Sequence, residues 1–221
     1  MTITNFIICH NPESMNYFIQ KNNGINNCFN YVIVNDIEPV QSFYKKISID
    51  RPILIPAIFK KNIEKYKSLL SFTAWYFLSK NNIVNTDFVG IFEYDTIFKQ
   101  EIPKQLKTDT IIGFCKRELP DKLFLGLVPG FSNLLSEQEK QKALQMPYWS
   151  ASSNLIMPKK FLDNFVDWYM KFIPKILSIK NHPHFHERAI NVFAANNNYN
   201  IAISKIAEHQ NLNSHNIGLV P

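Results

Sequence analysis

The sequence predicts a single α/β domain whose mixed, mostly parallel central sheet is flanked by helices. Three observations carry that prediction. Asp87-Phe88-Val89-Gly90-Ile91-Phe92-Glu93-Tyr94-Asp95 is a short apolar run that stops on two carboxylates. A run of this length with β-branched and aromatic members suits a central strand buried on both faces. The first half of the chain alternates strand-like with helix-like segments, the order in which crossover connections build parallel sheets. With 221 residues, 46% hydrophobic and 14% aromatic, the chain is long and apolar enough for one sizeable core. No repeat, flexible linker or composition shift divides it, so residues 1–221 read as one domain.

Taken in order, Phe6 to Cys9 reads as a short strand. Asn11 then caps a helix with Pro12 in its first turn and Met15, Phe18 and Ile19 on one face. Tyr31 to Val34 is a second strand, ending on Asn35-Asp36. The two prolines of Arg51-Pro52-Ile53-Leu54-Ile55-Pro56 keep that segment extended. From about Asn62 to Lys80 the spacing of Ile63, Tyr66, Leu70, Ala74 and Phe77 predicts one amphipathic helix, which leads into the acid-tipped strand.

Thr110 to Phe114 is a further strand, followed by an irregular segment with Pro120, Pro129, Gly126 and Gly130. Its composition predicts a loop between Glu118 and Met146 that closes over a bound ligand. Within that stretch, Ser136 and Glu139 form a capping box for a polar helix to about Gln145. Trp149 to Met157 reads as extended, and Pro158 opens a helix whose Phe161, Phe165, Trp168 and Phe172 form a buried stripe. Such a stripe is core packing rather than a ligand platform. A helix from His186 to Asn196 and a strand from Asn200 to Ala207 precede Glu208-His209 and a polar tail.

Composition narrows the function. No stretch reaches the about eighteen consecutive apolar residues of a membrane-spanning helix, and the N-terminus lacks a signal-peptide pattern. Cys9, Cys28 and Cys115 are widely spaced and odd in number, offering neither a disulfide framework nor a paired-cysteine zinc site. A soluble cytoplasmic protein is expected. The net charge of +6 raises the question of a polyanionic partner. The lysines are dispersed, with only Lys45-Lys46, Lys60-Lys61 and Lys159-Lys160 adjacent, and no RNA- or DNA-binding motif accompanies them. Nucleic acid is therefore not expected as the partner, and a nucleotide diphosphate suits the charge equally well. The chain has no P-loop, dinucleotide fingerprint or nucleophile elbow, and only 6 glycines. A metal-held diphosphate fits that absence better than a glycine cradle.

Glu93 and Asp95 are the residues on which chemistry converges. Carboxylates at the tip of a buried strand need a compensating cation unless they are solvated, and Mg²⁺ or Mn²⁺ takes oxygen ligands together with substrate phosphates. Solvated acids at a strand end are the plain alternative.

The aromatic helix Ser71-Phe72-Thr73-Ala74-Trp75-Tyr76-Phe77, then Lys80-Asn81-Asn82, then Phe88 to Asp95 resembles nucleotide-sugar glycosyltransferases of the GT-A fold. In that family an Asp-X-Asp motif ends a core strand and holds a divalent metal, Mn²⁺ or Mg²⁺, against the donor's diphosphate. Here the motif is Glu93-Tyr94-Asp95, with Glu93 departing from the usual first acid. The resemblance implies that Asp95 makes the main metal contact and that Glu93 and His209 assist it. It places Ser214-His215 near the diphosphate, with His215 touching it. It puts the donor's base among Cys9, His10, Asn11, Asn35 and Asp36 at the tips of the first two strands, where amides at Asn11 could also favour an anion. It assigns an acidic catalytic or acceptor-binding role to Glu187, which as general base would take the acceptor hydroxyl's proton. Glu187 can equally serve the helix dipole.

The stretch Tyr148 to Asn154 reads as an acceptor surface, with Trp149 beside Ser150, Ser152 and Asn154 offering hydrogen bonds to a sugar rim. A strand with a buried Trp is the competing account. His182, His184 and His186 alternate as zinc ligands would on an extended strand, although a loop and helix start explains them as well. The expectation is a metal-dependent hexosyltransferase that moves a sugar from a nucleotide diphosphate sugar, a UDP-sugar, to a hydroxyl of a glycan or glycoprotein. It looks similar to small bacterial or viral transferases. A nucleotidyltransferase and a non-catalytic RNA- or glycan-binding module are the alternatives.

Overall fold

A computed structural model describes residues 1–25, 28–34, 51–103, 105–119, 132–179 and 185–210. Within them the strands are β1 (Ile3–Cys9), β2 (Asn30–Ile33), β3 (Ile53–Leu54), β4 (Phe88–Glu93), β5 (Thr96–Phe98), β6 (Thr110–Gly113), β7 (Lys116–Glu118), β8 (Tyr148–Ser150), β9 (Leu155–Pro158), β10 (Asn200–Ile203) and β11 (Ala207–His209). The helices, numbered in chain order, are α1 (Pro12–Lys21), α2 (Phe72–Lys80), α3 (Glu137–Leu144), α4 (Lys159–Met170), α5 (Ile173–Ile176) and α6 (Phe185–Asn196).

Seven strands form the central sheet in the order β10-β6-β9-β4-β1-β2-β3. β1 is parallel to β2 and β4, β2 to β3, and β10 to β6, whereas β9 is antiparallel to both β4 and β6. The sheet is therefore mixed but mostly parallel, as expected. The apolar runs are buried on both faces. Along β1, Phe6 and Ile8 enter one core while Ile7 and Cys9 enter the other, and β4 divides Val89 and Ile91 from Phe88 and Phe92. Helices α2, α4, α5 and α6 cover the first face, and α1 with the β5 segment covers the second.

Several boundaries differ from the sequence-based expectation. The helix expected from Asn62 begins only at Phe72, after a 3-10 turn at Lys67–Leu69. Leu70 has φ +46°, a left-handed conformation that interrupts helical hydrogen bonding, although Ile63 and Tyr66 still pack against the core. The extended reading of Trp149 to Met157 splits into β8 and β9, because Ser152 and Asn154 bend the chain between them. The strand expected from Asn200 to Ala207 also divides. β10 ends at Ile203 in the large sheet, and β11 pairs antiparallel with β5 in a separate one. Pro158 closes β9 and stands at the N-cap of α4, whose Phe161 and Phe165 are buried core as predicted, while Trp168 and, past the helix end, Phe172 are half-buried against it. The Ser136–Glu139 capping box is present, and much of the loop expected to close over a ligand lies outside the described residues.

Gly113 marks a close approach that this topology requires. A Cβ there would lie 2.1 Å from Ser150 Oγ and 2.6 Å from Ser150 Cβ. Gly113→Ala is expected to destabilise the fold by about 1–3 kcal/mol through overpacking. Urea denaturation would check this, and an unchanged midpoint would contradict the packing.

Candidate metal centre

The carboxyl end of β4 presents Glu93, and Tyr94-Asp95 turns the chain into β5. Pairing of β11 with β5 sets His209 opposite Thr96, and the Gln210 amide donates to the Asp95 carbonyl at 3.2 Å. This hairpin-like closure brings a histidine from the far end of the chain onto the strand-end acids. Ligand atoms of Glu93, Asp95 and His209 all lie within 4.8 Å of one another.

The cluster gathers two carboxylates around one histidine. Asp95 is 8% exposed. His209 Nε2 approaches its Oδ1 at 2.9 Å but off hydrogen-bond alignment, so that oxygen is buried with no aligned donor among the described residues. Burial favours neutral His209, yet Asp95, Glu93 and Glu187 together outweigh it and raise the imidazole above its ordinary value of 6.5. Two carboxylates, one with a buried oxygen that lacks an aligned donor, and one imidazole fit a divalent ion such as Mn²⁺ or Mg²⁺.

The neighbouring side chains hold the acids in place. The Glu93 amide donates to Asn154 Oδ1 at 2.6 Å, and the Ser153 hydroxyl donates to Glu93 Oε1. Tyr94 stacks edge-on with His10 and Tyr17 at 5.8 and 6.4 Å. Burial, with Asp95 and Glu93 close by, pushes its hydroxyl up to about 12, so it remains a neutral aromatic wall. The Tyr17 hydroxyl donates to Gln210 Oε1 at 3.1 Å, tying α1 to the segment that carries His209.

No protein-family model matches this sequence, and no curated protein does. Among solved structures, the apo structure of the bifunctional glycosyltransferase WbbM superposes with a TM-score of 0.57 at 11% identity, over 93% of this chain. The chain has a GT-A fold. It spans 45% of the length of the WbbM structure. The galactosyltransferase LgtC, solved with donor and acceptor sugar analogues, aligns over 92% of this chain and 73% of its own at 11% identity, with a TM-score of 0.48.

Within this GT-A fold the other expected site residues take varied positions. Cys9 lies at the end of β1 with its thiol fully buried, and burial pushes that thiol far above its usual range. The thiol therefore packs the core and is no wall for a nucleotide. His10 is half-buried beside Tyr94. Asn11 caps α1, its Oδ1 accepting from the Ser14 amide at 2.8 Å. The amide of Asn11 is already engaged by Ser14 Oγ at 3.2 Å, which corrects the expectation that it serves an anion. Asn35, Asp36, Ser214 and His215 lie outside the described residues.

The acceptor expectation also needs correction. Trp149, Ser150, Ser152 and Asn154 are all buried, so their side chains form an inner wall rather than an open sugar-binding surface. Asn154 is committed to the Glu93 amide, and Ser152 Oγ accepts from the Asn154 amide at 3.3 Å. Main-chain groups of Ser150 are clasped by Asn191, which accepts from its N–H at 2.9 Å and donates to its carbonyl at 3.0 Å.

Asn191 also donates to the Glu187 carbonyl at 2.7 Å, so the first turn of α6 is anchored on β8. Glu187 is half-buried and close enough to help raise the His209 imidazole, which places its carboxylate in the electrostatic neighbourhood of the cluster. The Arg188 guanidinium lies 5.9 Å from the Trp149 ring centroid.

His186 is buried between Phe72 and Trp75, its Nε2 3.1 Å from Ser71 Oγ. That core position removes it from a zinc site with His182 and His184, which lie outside the described residues. Tyr17 and Gln210 carry no expectation as site residues, and Ser153 enters only as part of the stretch read as an acceptor surface. Serine, tyrosine and glutamine carry no spacing signal, and only the turn after β8 and the closure of β11 reveal them.

Among the described residues, no helix is long and apolar enough to cross a membrane.

Proposed function

We propose that this chain is a metal-dependent glycosyltransferase that moves a sugar from a nucleotide diphosphate sugar, a UDP-sugar, to a hydroxyl of a glycan or glycoprotein. The observation that carries the reading is the convergence of Glu93, Asp95 and His209 at the carboxyl end of β4, where ligands of open α/β sheets collect. The motif position fits the Asp-X-Asp site of the GT-A fold, with Glu93 in place of the first acid. No comparable observation favours a nucleotidyltransferase.

Asp95 would hold Mn²⁺ or Mg²⁺ with Glu93 and His209. A divalent ion bound there neutralises the charge of the departing diphosphate. Tyr94, Tyr17 and His10 form an aromatic side to the cluster and would help keep water from hydrolysing the donor. In the transfer, the bond between the sugar's anomeric carbon and the diphosphate oxygen breaks while the acceptor oxygen bonds to that carbon. Glu187 would accept the acceptor hydroxyl's proton. His10, Asn35 and Asp36 would face the base, and His215 the diphosphate. The free cysteines, Cys9, Cys28 and Cys115, suit a reducing cytoplasmic setting.

Calorimetric titration of UDP and other nucleoside diphosphates, with Mn²⁺ or with chelator, tests the reading. We expect UDP to bind only with the metal present and a UDP-sugar to be slowly hydrolysed without acceptor. Equal binding with and without metal would sink the metal-held donor site. Turnover of a nucleoside triphosphate in place of a nucleotide sugar would support the nucleotidyltransferase instead, and salt-sensitive RNA binding without metal would support a binding module.

A further inference from the structure

We propose that Glu93 and Ser153 form a matched pair: the longer acid stands where an aspartate would be expected because the buried Ser153 hydroxyl holds it against Asp95 and His209. The inference rests on the metal reading above and deepens it. Ser153 is 2% exposed and its hydroxyl donates to Glu93 Oε1. The adjacent Asn154, fully buried, accepts from the Glu93 main-chain amide at 2.6 Å. Two consecutive residues, from the bend between β8 and β9, thus grip both the backbone and the side chain of one acid at the tip of β4. The grip runs between antiparallel neighbours, since Ile91 of β4 pairs with Leu155 of β9 just beyond the bend.

The arrangement sets how long the acid must be. Glu93 has to reach Ser153 on one side and lie within 4.8 Å of the Asp95 and His209 ligand atoms on the other. Among the described residues no other hydrogen bond reaches its side chain, so Ser153 alone fixes the carboxylate's rotation. An aspartate is one methylene shorter, a loss of reach on the order of 1 Å. It could keep the hydroxyl or face the cation, but not both. Ser153 is thus a positioning residue acting through Glu93, comparable to outer partners that orient metal ligands and cost about 10–100-fold in affinity when removed.

The test is Mn²⁺ affinity, measured by titration calorimetry and electron paramagnetic resonance, for the wild type, Glu93→Asp, Ser153→Ala and the double variant, each with a thermal melt. We expect Glu93→Asp to weaken Mn²⁺ about tenfold even though it restores Asp-X-Asp, and Ser153→Ala to weaken it similarly. The double variant should bind no more weakly than Glu93→Asp alone, because the pair acts as one unit. Glu93→Asp binding as tightly as wild type would overturn the pairing, as would two losses that simply add. A Ser153→Ala variant that melts earlier but binds Mn²⁺ unchanged would also overturn it, leaving a purely structural role. A wild type that binds no Mn²⁺ would remove the metal reading itself, and this inference with it.

Discussion

Asp95→Ala is expected to abolish metal-dependent nucleotide binding while leaving the protein folded. Asp95 groups with Glu93 and His209, and His209 Nε2 stands 2.9 Å from its buried Oδ1. Deleting Asp95 removes the partner that His209 has at 2.9 Å, but the imidazole can then shed its proton, so no uncompensated charge stays buried. The loss of Asp95 should therefore fall on ligand binding. Outer partners of metal ligands already cost about 10–100-fold when removed, so deletion of a ligand should weaken Mn²⁺ by at least about 100-fold. UDP held through that ion should be lost with it. Calorimetry would read both affinities, and a thermal melt within a few degrees of wild type would show that the fold persists. Retained Mn²⁺-dependent UDP binding in the variant would remove Asp95 from the site.

Phe165→Ala is expected to cause the largest loss of stability. Its ring is fully buried in α4. It meets Phe72 and Trp75 of α2 at 6.3 and 5.7 Å, Tyr169 of its own helix at 5.5 Å and Phe193 of α6 at 5.7 Å. It is therefore a hub joining the helices that cover one face of the sheet. Aromatic-to-alanine changes in cores cost about 3–5 kcal/mol because transfer and cavity terms add. Domain stabilities are about 5–15 kcal/mol, so the loss is a large share of the whole. Urea denaturation should show a lower midpoint with an unchanged slope. A loss under about 1 kcal/mol would mean that the layer repacks around the hole.

The sequence was legible where local chemistry and tertiary need agree. The run from Phe88 to Glu93 reads as a central strand because it is short, apolar and rich in β-branched and aromatic residues, and the fold buries both of its faces. Asn11 and Ser136 were readable as caps because a side-chain oxygen satisfies amides only a few residues away. Boundaries failed where a single backbone conformation outweighed periodicity. Leu70 at φ +46° breaks a pattern that the apolar spacing alone would extend over nearly three more turns, back to Asn62.

The candidate site divides along the same line. Glu93 and Asp95 are neighbours in the chain, so their meeting at a strand tip follows from alternation and burial. His209 was reachable only through a family resemblance, since its place beside Asp95 depends on β11 pairing with β5 across more than a hundred residues. The residues read as an acceptor surface show the opposite error. Their hydroxyls and amide looked available in sequence, yet the bend between β8 and β9 turns them inward onto Glu93 and α6. The sequence by itself determined an α/β chain with acids at the end of a buried strand, because apolar periodicity and side-chain charge are local properties. Only the tertiary structure decided which histidine joins those acids and which serine holds them, because hydrogen bonds between strands distant in sequence set those distances.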